Sequence, residues 1–240
     1  MNWLTDRPIA HRGFHSGNSD FPENSLKAFS EAVKNDYIIE LDVQLTADQK
    51  LVVFHDADLL RMCHSTKKIE STTLAELQSF NLLDSEEKIP SFQEVLANVN
   101  GKVPILIELK SESPKVGVLE ATLAESLKAY ERNIAVQSFN PFSIGWFKTN
   151  APSITRGQLS SNFNDVHLSP VKKYLLKYML LNYVGKPQFI AYNKQDIFKN
   201  YLQKYRKSGK PLLGWTVTSK KESAALLPYC DNIIFEGFLP

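Results

Sequence analysis

Cysteine is scarce in this chain: 240 residues carry two, Cys63 and Cys230, with no CxxC spacing. The N-terminal Met-Asn-Trp-Leu-Thr-Asp-Arg-Pro has no apolar stretch behind a basic start, so no signal peptide is expected. Two thiols without an export signal are expected to stay free, in a reducing, cytoplasmic setting. No run approaches the roughly 18–20 uninterrupted apolar residues of a membrane span. Low-complexity tracts, sequence repeats and Gly/Ser linkers are missing as well. With hydrophobic residues at 43% and charged residues at 22%, the composition excludes a disordered or fibrous chain. The length suits one large core, and a single domain over residues 1–240 is expected.

The net charge is only +2, but it is unevenly spread. Residues 169–210 hold ten basic side chains against one acidic, Asp196, for +9, which leaves −7 on the rest. A basic region beside an acidic body can steer anionic substrates or touch anionic lipid. The plainer reading is a set of solvated outer helices. No nucleic-acid motif accompanies these charges, so no nucleic-acid partner is expected.

What recurs is a type of unit: a short apolar run followed by a longer helical pattern. The runs are Pro8–His11, Tyr37–Val43, Val103–Leu109, Ile134–Ser138, Ile154–Leu159, Phe189–Tyr192, Leu212–Val217 and Asn232–Phe235, eight in all. Ile105-Leu106-Ile107 and Asn232-Ile233-Ile234-Phe235 alternate little with polar residues, as strands buried on both faces do. Helical patterns cover Ser25–Asn35, Val116–Tyr130, Pro141–Asn150, Val171–Leu181, Asp196–Ser208 and Lys220–Leu227, with Asn24 or Ser25 available to cap the first. Eight βα units in this length fit a (β/α)8 barrel; spacing alone leaves a doubly wound open sheet as the alternative. Gln44–Phe54 reads as a hairpin leaving the second strand through the turn at Asp48-Gln49. After it comes a mixed polar insertion, residues 56–90, with a helical pattern at Thr73–Phe80. A helix from Ser91 to Asn98 follows.

Glu40 and Asp42 stand two apart near the end of an apolar strand, so their side chains share a face. Buried acids side by side repel unless a cation joins them. Glu108 ends another apolar strand, and Lys110 follows on the same side. Strand ends of a barrel converge on one face, and three carboxylates there suit one hard divalent cation, Mg²⁺ or Ca²⁺. Ordinary strand-end surface acids are the competing reading. His11 and His55 also end strands, and paired imidazoles can act as general base and general acid. A lone histidine is more often structural; two at strand ends beside acids are not lone. Arg12 and Lys110 are natural phosphate partners, the first through a fork of donors and the second as a point charge. His15, His64 and His167 are expected to be structural or exposed.

In order along the chain come His11-Arg12-Gly13, Pro22-Glu23-Asn24-Ser25, Glu40-Leu41-Asp42-Val43, Val53-Phe54-His55-Asp56 and Ile107-Glu108-Leu109-Lys110. This series resembles that of the glycerophosphodiester phosphodiesterases. Gln137-Ser138-Phe139, Gly214-Trp215-Thr216-Val217 and the passage from Leu74–Leu77 to Ile89-Pro90-Ser91-Phe92 are similar too, so the resemblance spans residues 8–235. Each motif is weak alone; five in order are specific. The departures are a long loop at residues 14–21, Thr218 after Trp-Thr-Val, and Asp231-Asn-Ile-Ile-Phe-Glu236 near the C-terminus. They bear on substrate preference and leave the acids and histidines intact.

The resemblance implies a TIM-type barrel that uses a divalent cation to hydrolyse a small glycerophosphodiester to glycerol 3-phosphate and an alcohol. By motif position Glu40, Asp42 and Glu108 would bind the metal, His11 and His55 would be the acid–base pair, and Arg12 and Lys110 would hold phosphate. Trp215 would wall the glycerol or merely fill the barrel. The expected route passes through a cyclic phosphate. Two alternatives keep the fold. One is a phospholipase-like diesterase on membrane lipid or lysolipid, making a weak peripheral membrane contact through residues 169–186. The other is a non-catalytic glycerophosphate-binding barrel, which would not need an acid–base pair.

Overall fold

The structure, a computed structural model, describes residues 2–17, 20–111, 115–130, 132–164 and 166–240. Two residues of the 14–21 loop, 18 and 19, thus lie outside the described residues. Strand β1 (Ile9–Ala10) is followed by α1 (Leu26–Lys34), β2 (Ile38–Leu45) and β3 (Leu51–Val53). Short helices α2 (Leu60–Cys63) and α3 (Leu74–Leu77) precede α4 (Phe92–Val99), β4 (Ile105–Leu109) and α5 (Val118–Leu127). The order continues with β5 (Ile134–Ser138), α6 (Pro141–Asn150), β6 (Thr155–Ser160), α7 (Pro170–Lys177) and α8 (Asn182–Gly185). Last come β7 (Phe189–Asn193), α9 (Asn200–Lys207), β8 (Leu212–Val217), α10 (Lys220–Leu226) and β9 (Asn232–Phe235). All eight apolar runs are strands, and helices separate them; β3 is the added hairpin strand, antiparallel to β2. The fold is the (β/α)8 barrel and not the doubly wound sheet.

The chain divides into two compact units: residues 10–110 with 117–134, and residues 1–9 and 111–116 with 135–240. In the first, β2 and β4 run parallel with Asp42 opposite Glu108 and Glu40 opposite Leu106. Ile38, Ile39, Leu41, Val43, Ile105, Leu106 and Ile107 are all buried, as the continuous apolar runs require. Ser25 caps α1 by accepting from Ala28 N–H, and Ala28, Phe29 and Ala32 form its buried face. Asn24, the other capping candidate, serves the site instead. Ser91 and Glu94 form a capping box at the start of α4, which ends at Asn100 in the left-handed conformation.

The insertion is less polar than its sequence suggests. Leu59, Met62, Ile69, Leu77, Leu82 and Ile89 are buried in one cluster with Val52 and Phe54 of the hairpin. It is a small satellite core built on the strand that delivers His55.

In the second unit β5, β6, β7, β8 and β9 pair in parallel in that order. Asn140 caps α6, with Pro141 supplying its preset φ in the first turn. Buried Asn232 donates to the Leu4 and Arg7 carbonyls at 2.9 and 2.7 Å, tying the N-terminal residues to β9. Several helices are shorter than the sequence suggests: α3 and α5 keep only the middle of their patterns, and α7 and α9 lose an end. Helix α7 stops at Lys177, and Met179 beyond it has φ +53°. The pattern from Asp196 begins as a 3-10 turn, Lys194–Asp196, before α9 starts at Asn200. The two thiols are free.

Replacing Ser91 by Ala removes the cap of α4 and strands a buried turn. The expected loss is about 1 kcal/mol, read as a fall of about 2–4 °C in thermal midpoint, while Glu94→Gln, which keeps the box, falls less.

Candidate active site

Three acids define the site. Glu40, Asp42 and Glu108 are buried, and one carboxylate oxygen of each lies within 4.8 Å of the other two. Strand geometry causes this: Glu40 and Asp42 share a face of β2, and parallel register sets Glu108 beside Asp42. In this cluster burial, then the charges of Asp42 and Glu108, push the Glu40 carboxyl well above its usual range. Burial likewise raises Glu108, with Lys110 opposing and Asp42 adding to the rise. Burial would raise Asp42 too, but Lys110, His55, Arg12 and a hydrogen bond from Asn24 hold it far below.

Among the described residues the acids are met by Lys110, Arg12 and Asn24. Lys110 Nζ lies 3.0 Å from Asp42 Oδ1 and 2.7 Å from Glu108 Oε1. Arg12 N–H donates to Glu40 Oε2 at 3.0 Å, and Arg12 Nε sits 3.5 Å from Asp42 Oδ2, an ionic contact longer than a hydrogen bond. Asn24 Nδ2 donates to Asp42 Oδ2 at 2.9 Å. Arg12 and Asn24 have φ of +54° and +56°, unusual for non-glycine residues, and Asn24 N–H donates to the Arg12 carbonyl at 2.9 Å. Gly13 next to them has φ +82°, and a Cβ there would meet the Ala28 backbone at 3.0 Å, so the motif requires glycine. Arg12 and Lys110, expected as phosphate partners, are thus held on the acids.

His55 follows β3. Its approach is fixed by Phe54 N–H donating to the Asp42 carbonyl at 3.1 Å and by Gln44 Nε2, 2.8 Å from the carbonyls of both Phe54 and Asp56. His55 Nδ1 is 2.6 Å from Asp56 Oδ1. An ionised carboxylate can only accept, so Nδ1 carries the proton and Nε2 of the neutral ring is the basic nitrogen. Burial lowers the His55 pKa, and Lys110 and Arg12 add to this against Asp42.

His11 stands at the tip of β1, directly before Arg12, whose main chain holds Glu40. Trp215 belongs to the other unit. It is half-buried on β8, opposite Asn193 of β7, with its ring edge-on to Phe139 at 5.7 Å. His64 is exposed beyond the end of α2 and His167 is exposed, while His15 is half-buried and Nδ1 of its ring accepts from Gly17 N–H.

Sequence reasoning missed four contributors: Glu23, Asn24, Asp56 and Arg61. The first three sit inside quoted motifs; Glu23 and Asp56 carried no role there, and Asn24 was read only as a possible helix cap. Arg61 has no motif. Its guanidinium spans Asp56 and Glu23 (2.7 Å to Asp56 Oδ2, 2.9 and 2.7 Å to the Glu23 oxygens), and Glu23 in turn accepts from Arg12 at 2.7 Å.

Residues 11–234 match the glycerophosphoryl diester phosphodiesterase family. The chain belongs to it. It is therefore an enzyme, a phosphodiester hydrolase acting on glycerophosphodiesters. Among its relatives is YhdW of Bacillus subtilis strain 168, provisionally named a glycerophosphodiester phosphodiesterase. The two are 33% identical over 95% of this chain and 97% of that protein. A glycerophosphodiester phosphodiesterase of Caldanaerobacter subterraneus is 28% identical over 91% of this chain and 88% of its own length. In fold the chain resembles an Oleispira antarctica phosphodiesterase solved with its product sn-glycerol-3-phosphate. The TM-score is 0.80 at 24% identity, with 98% of this chain and 94% of that one covered.

The crowding of acids predicts a measurable effect. A carboxyl whose folded pKa is raised above its unfolded value contributes stability at low pH that is lost as pH rises through the raised value. Glu40→Gln removes that loss. In chelator at pH 8 the variant is expected to melt about 2–4 °C above the parent, for about 1 kcal/mol of relief, with the gap shrinking toward pH 5. Divalent cation should raise the midpoint of the parent and not that of the variant.

Proposed function

We propose that Glu40, Asp42 and Glu108 hold one divalent cation, Mg²⁺ or Ca²⁺, and that His55 and His11 move the protons of a glycerophosphodiester hydrolysis. The cluster of three buried carboxylates carries this reading. Its donors are all hard oxygens, and Lys110 and Arg12 bring two positive charges to three acids, so a divalent cation would relieve the repulsion that remains. Such an ion supplies Lewis-acid stabilisation of phosphate charge.

The chain's own groups divide the remaining work. His55, neutral with Nδ1–H held by Asp56, takes at Nε2 the proton of the substrate hydroxyl next to the phosphoester. That oxygen attacks phosphorus, the P–O bond to the alcohol breaks, and His11 protonates the departing oxygen. The product of this step is a five-membered cyclic phosphate. Water then opens it with the two imidazoles in exchanged roles, giving glycerol 3-phosphate. Arg12 and Lys110 already stand on the acids, and a phosphate bound beside those acids would meet both cations. They favour the more highly charged transition state over the ground state.

Turnover of glycerophosphocholine, followed by glycerol 3-phosphate release, tests the scheme. His11→Ala and His55→Ala are each expected to lose roughly 10²–10⁴ in kcat, and chelation should abolish activity until Mg²⁺ or Ca²⁺ is returned. Near-normal rates in both variants, or full activity in chelator, would refute it.

A second reading concerns where the enzyme works, and helix α7 favours it. None of its residues is buried. It is tethered through carbonyls, Leu176 accepting from Ser160 Oγ at 2.9 Å and Lys177 from the Tyr192 hydroxyl at 3.1 Å, with Leu175 and Leu176 half-buried. Val171 and Tyr183 are each 70% exposed, and Tyr174, Tyr178 and Leu180 are exposed with them. Lys172, Lys173, Lys177 and Lys186 stand among these residues. Aromatic and aliphatic groups interleaved with lysines match an anionic lipid surface, which takes rings at the headgroup level and cations at its charge. Co-sedimentation with phosphatidylserine-containing vesicles at low salt should show binding. Salt should weaken it, and so should Tyr174→Ser with Tyr183→Ser. No sedimentation, or a dimer that covers this face, would dismiss it.

A further inference from the structure

We propose that Arg61, in the insertion, is a positioning residue of the active site that locks the His55 imidazole and the Arg12 guanidinium into one hydrogen-bonded frame. This rests on the roles given above to those two groups and extends them to a residue outside the motifs.

The geometry is a double fork. Arg61 Nε and Nη2 donate to the two oxygens of Asp56, at 2.7 and 3.2 Å. Nη1 and Nη2 donate to the two oxygens of Glu23, at 2.9 and 2.7 Å. One planar cation thus binds two carboxylates, each bidentately, using all three of its nitrogens. Each carboxylate also serves the site. The Asp56 oxygen that meets Arg61 Nη2 is the one bound to His55 Nδ1 at 2.6 Å. The Glu23 oxygen that meets the same Nη2 accepts from Arg12 Nη1 at 2.7 Å. From His55 the path runs through Asp56, Arg61 and Glu23 to Arg12, and on to Asp42 at 3.5 Å.

Charge supports the same assignment. Burial would raise Glu23 and Asp56, and hydrogen bonds from Arg61 are the leading influence that holds both low. Without Arg61, the side-chain partners left among the described residues are His55 for Asp56 and Arg12 for Glu23. Both carboxylates are then free to turn toward water and take their partners along. Arg61 itself is placed by α2, whose neighbours Leu59 and Met62 sit in the satellite core. The insertion's packing is thereby transmitted to the orientation of two reacting-site groups. Lysine cannot substitute, because a single ammonium has no fork to span four oxygens.

The test compares Arg61→Met and Arg61→Lys with the parent on glycerophosphocholine, with His55→Ala as reference. Both Arg61 variants are expected to lose roughly 10–100-fold in kcat, on the scale of a misoriented catalytic group, with KM within about two-fold and the thermal midpoint within about 2 °C. Combining Arg61→Met with Asp56→Asn should cost no more than the larger single effect, because both act on the same frame. A kcat within about two-fold of the parent in either Arg61 variant, or a fall that tracks lost thermal stability, would overturn the proposal, as would additive losses in the double variant. If Arg61→Met does not fold, Arg61→Lys decides on the same criteria. The outcomes also separate this inference from the reading beneath it. If His55→Ala is inactive while both Arg61 variants are normal, only the inference fails. If His55→Ala is active, the acid–base reading fails and the inference with it.

Discussion

Mutual repulsion among three buried carboxylates governs this structure. Glu40, Asp42 and Glu108 are drawn into one small volume by strand alternation and parallel register, which their apolar neighbours enforce. Burial of like charges is unfavourable, and the surroundings are organised to offset it. Lys110 reaches from the end of β4, Arg12 from the turn after β1, and Asn24 from the residue before the α1 cap. The cation and the phosphate of the proposed function would both draw on the same imbalance.

The turn after β1 shows the local terms of this arrangement. Arg12 and Asn24 adopt positive φ, and the conformation aims the Arg12 amide at Glu40 and the Asn24 side chain at Asp42. Such backbone persists only when surrounding bonds over-determine it. Here the Asn24 amide to the Arg12 carbonyl and the Gly13 amide to Glu40 main chain supply that constraint.

Much of this was legible in the sequence. Apolar runs located all eight barrel strands because strands buried on both faces admit few polar residues, and the two-residue spacing of Glu40 and Asp42 implied a shared face. The hairpin was legible from Asp48-Gln49. Helix ends were less so: α7 stops early at a left-handed residue, Met179, which no residue preference announces. The role of Asn24 was hidden because asparagine before a helix reads as a cap, yet Ser25 caps and Asn24 turns to Asp42. Arg61 was hidden for a different reason. It lies 38 residues from Glu23 in sequence, within a polar-looking insertion, and only tertiary packing brings the two together. Lys110 and Arg12 were read as phosphate partners; their ion pairs with the acids depend on side-chain reach, which residue spacing does not give.

The segment between the β1 turn and α1 is pinned close to both its ends, Phe14 to the Ala28 carbonyl and Ser16 to that of Phe21. Closing a loop already clamped at its base adds little entropy for each extra residue. Insertions or deletions between those clamps can therefore accumulate over evolutionary time while the turn that aims Arg12 and Asn24 stays in register, so divergence of reach and divergence of chemistry are decoupled at this corner of the enzyme.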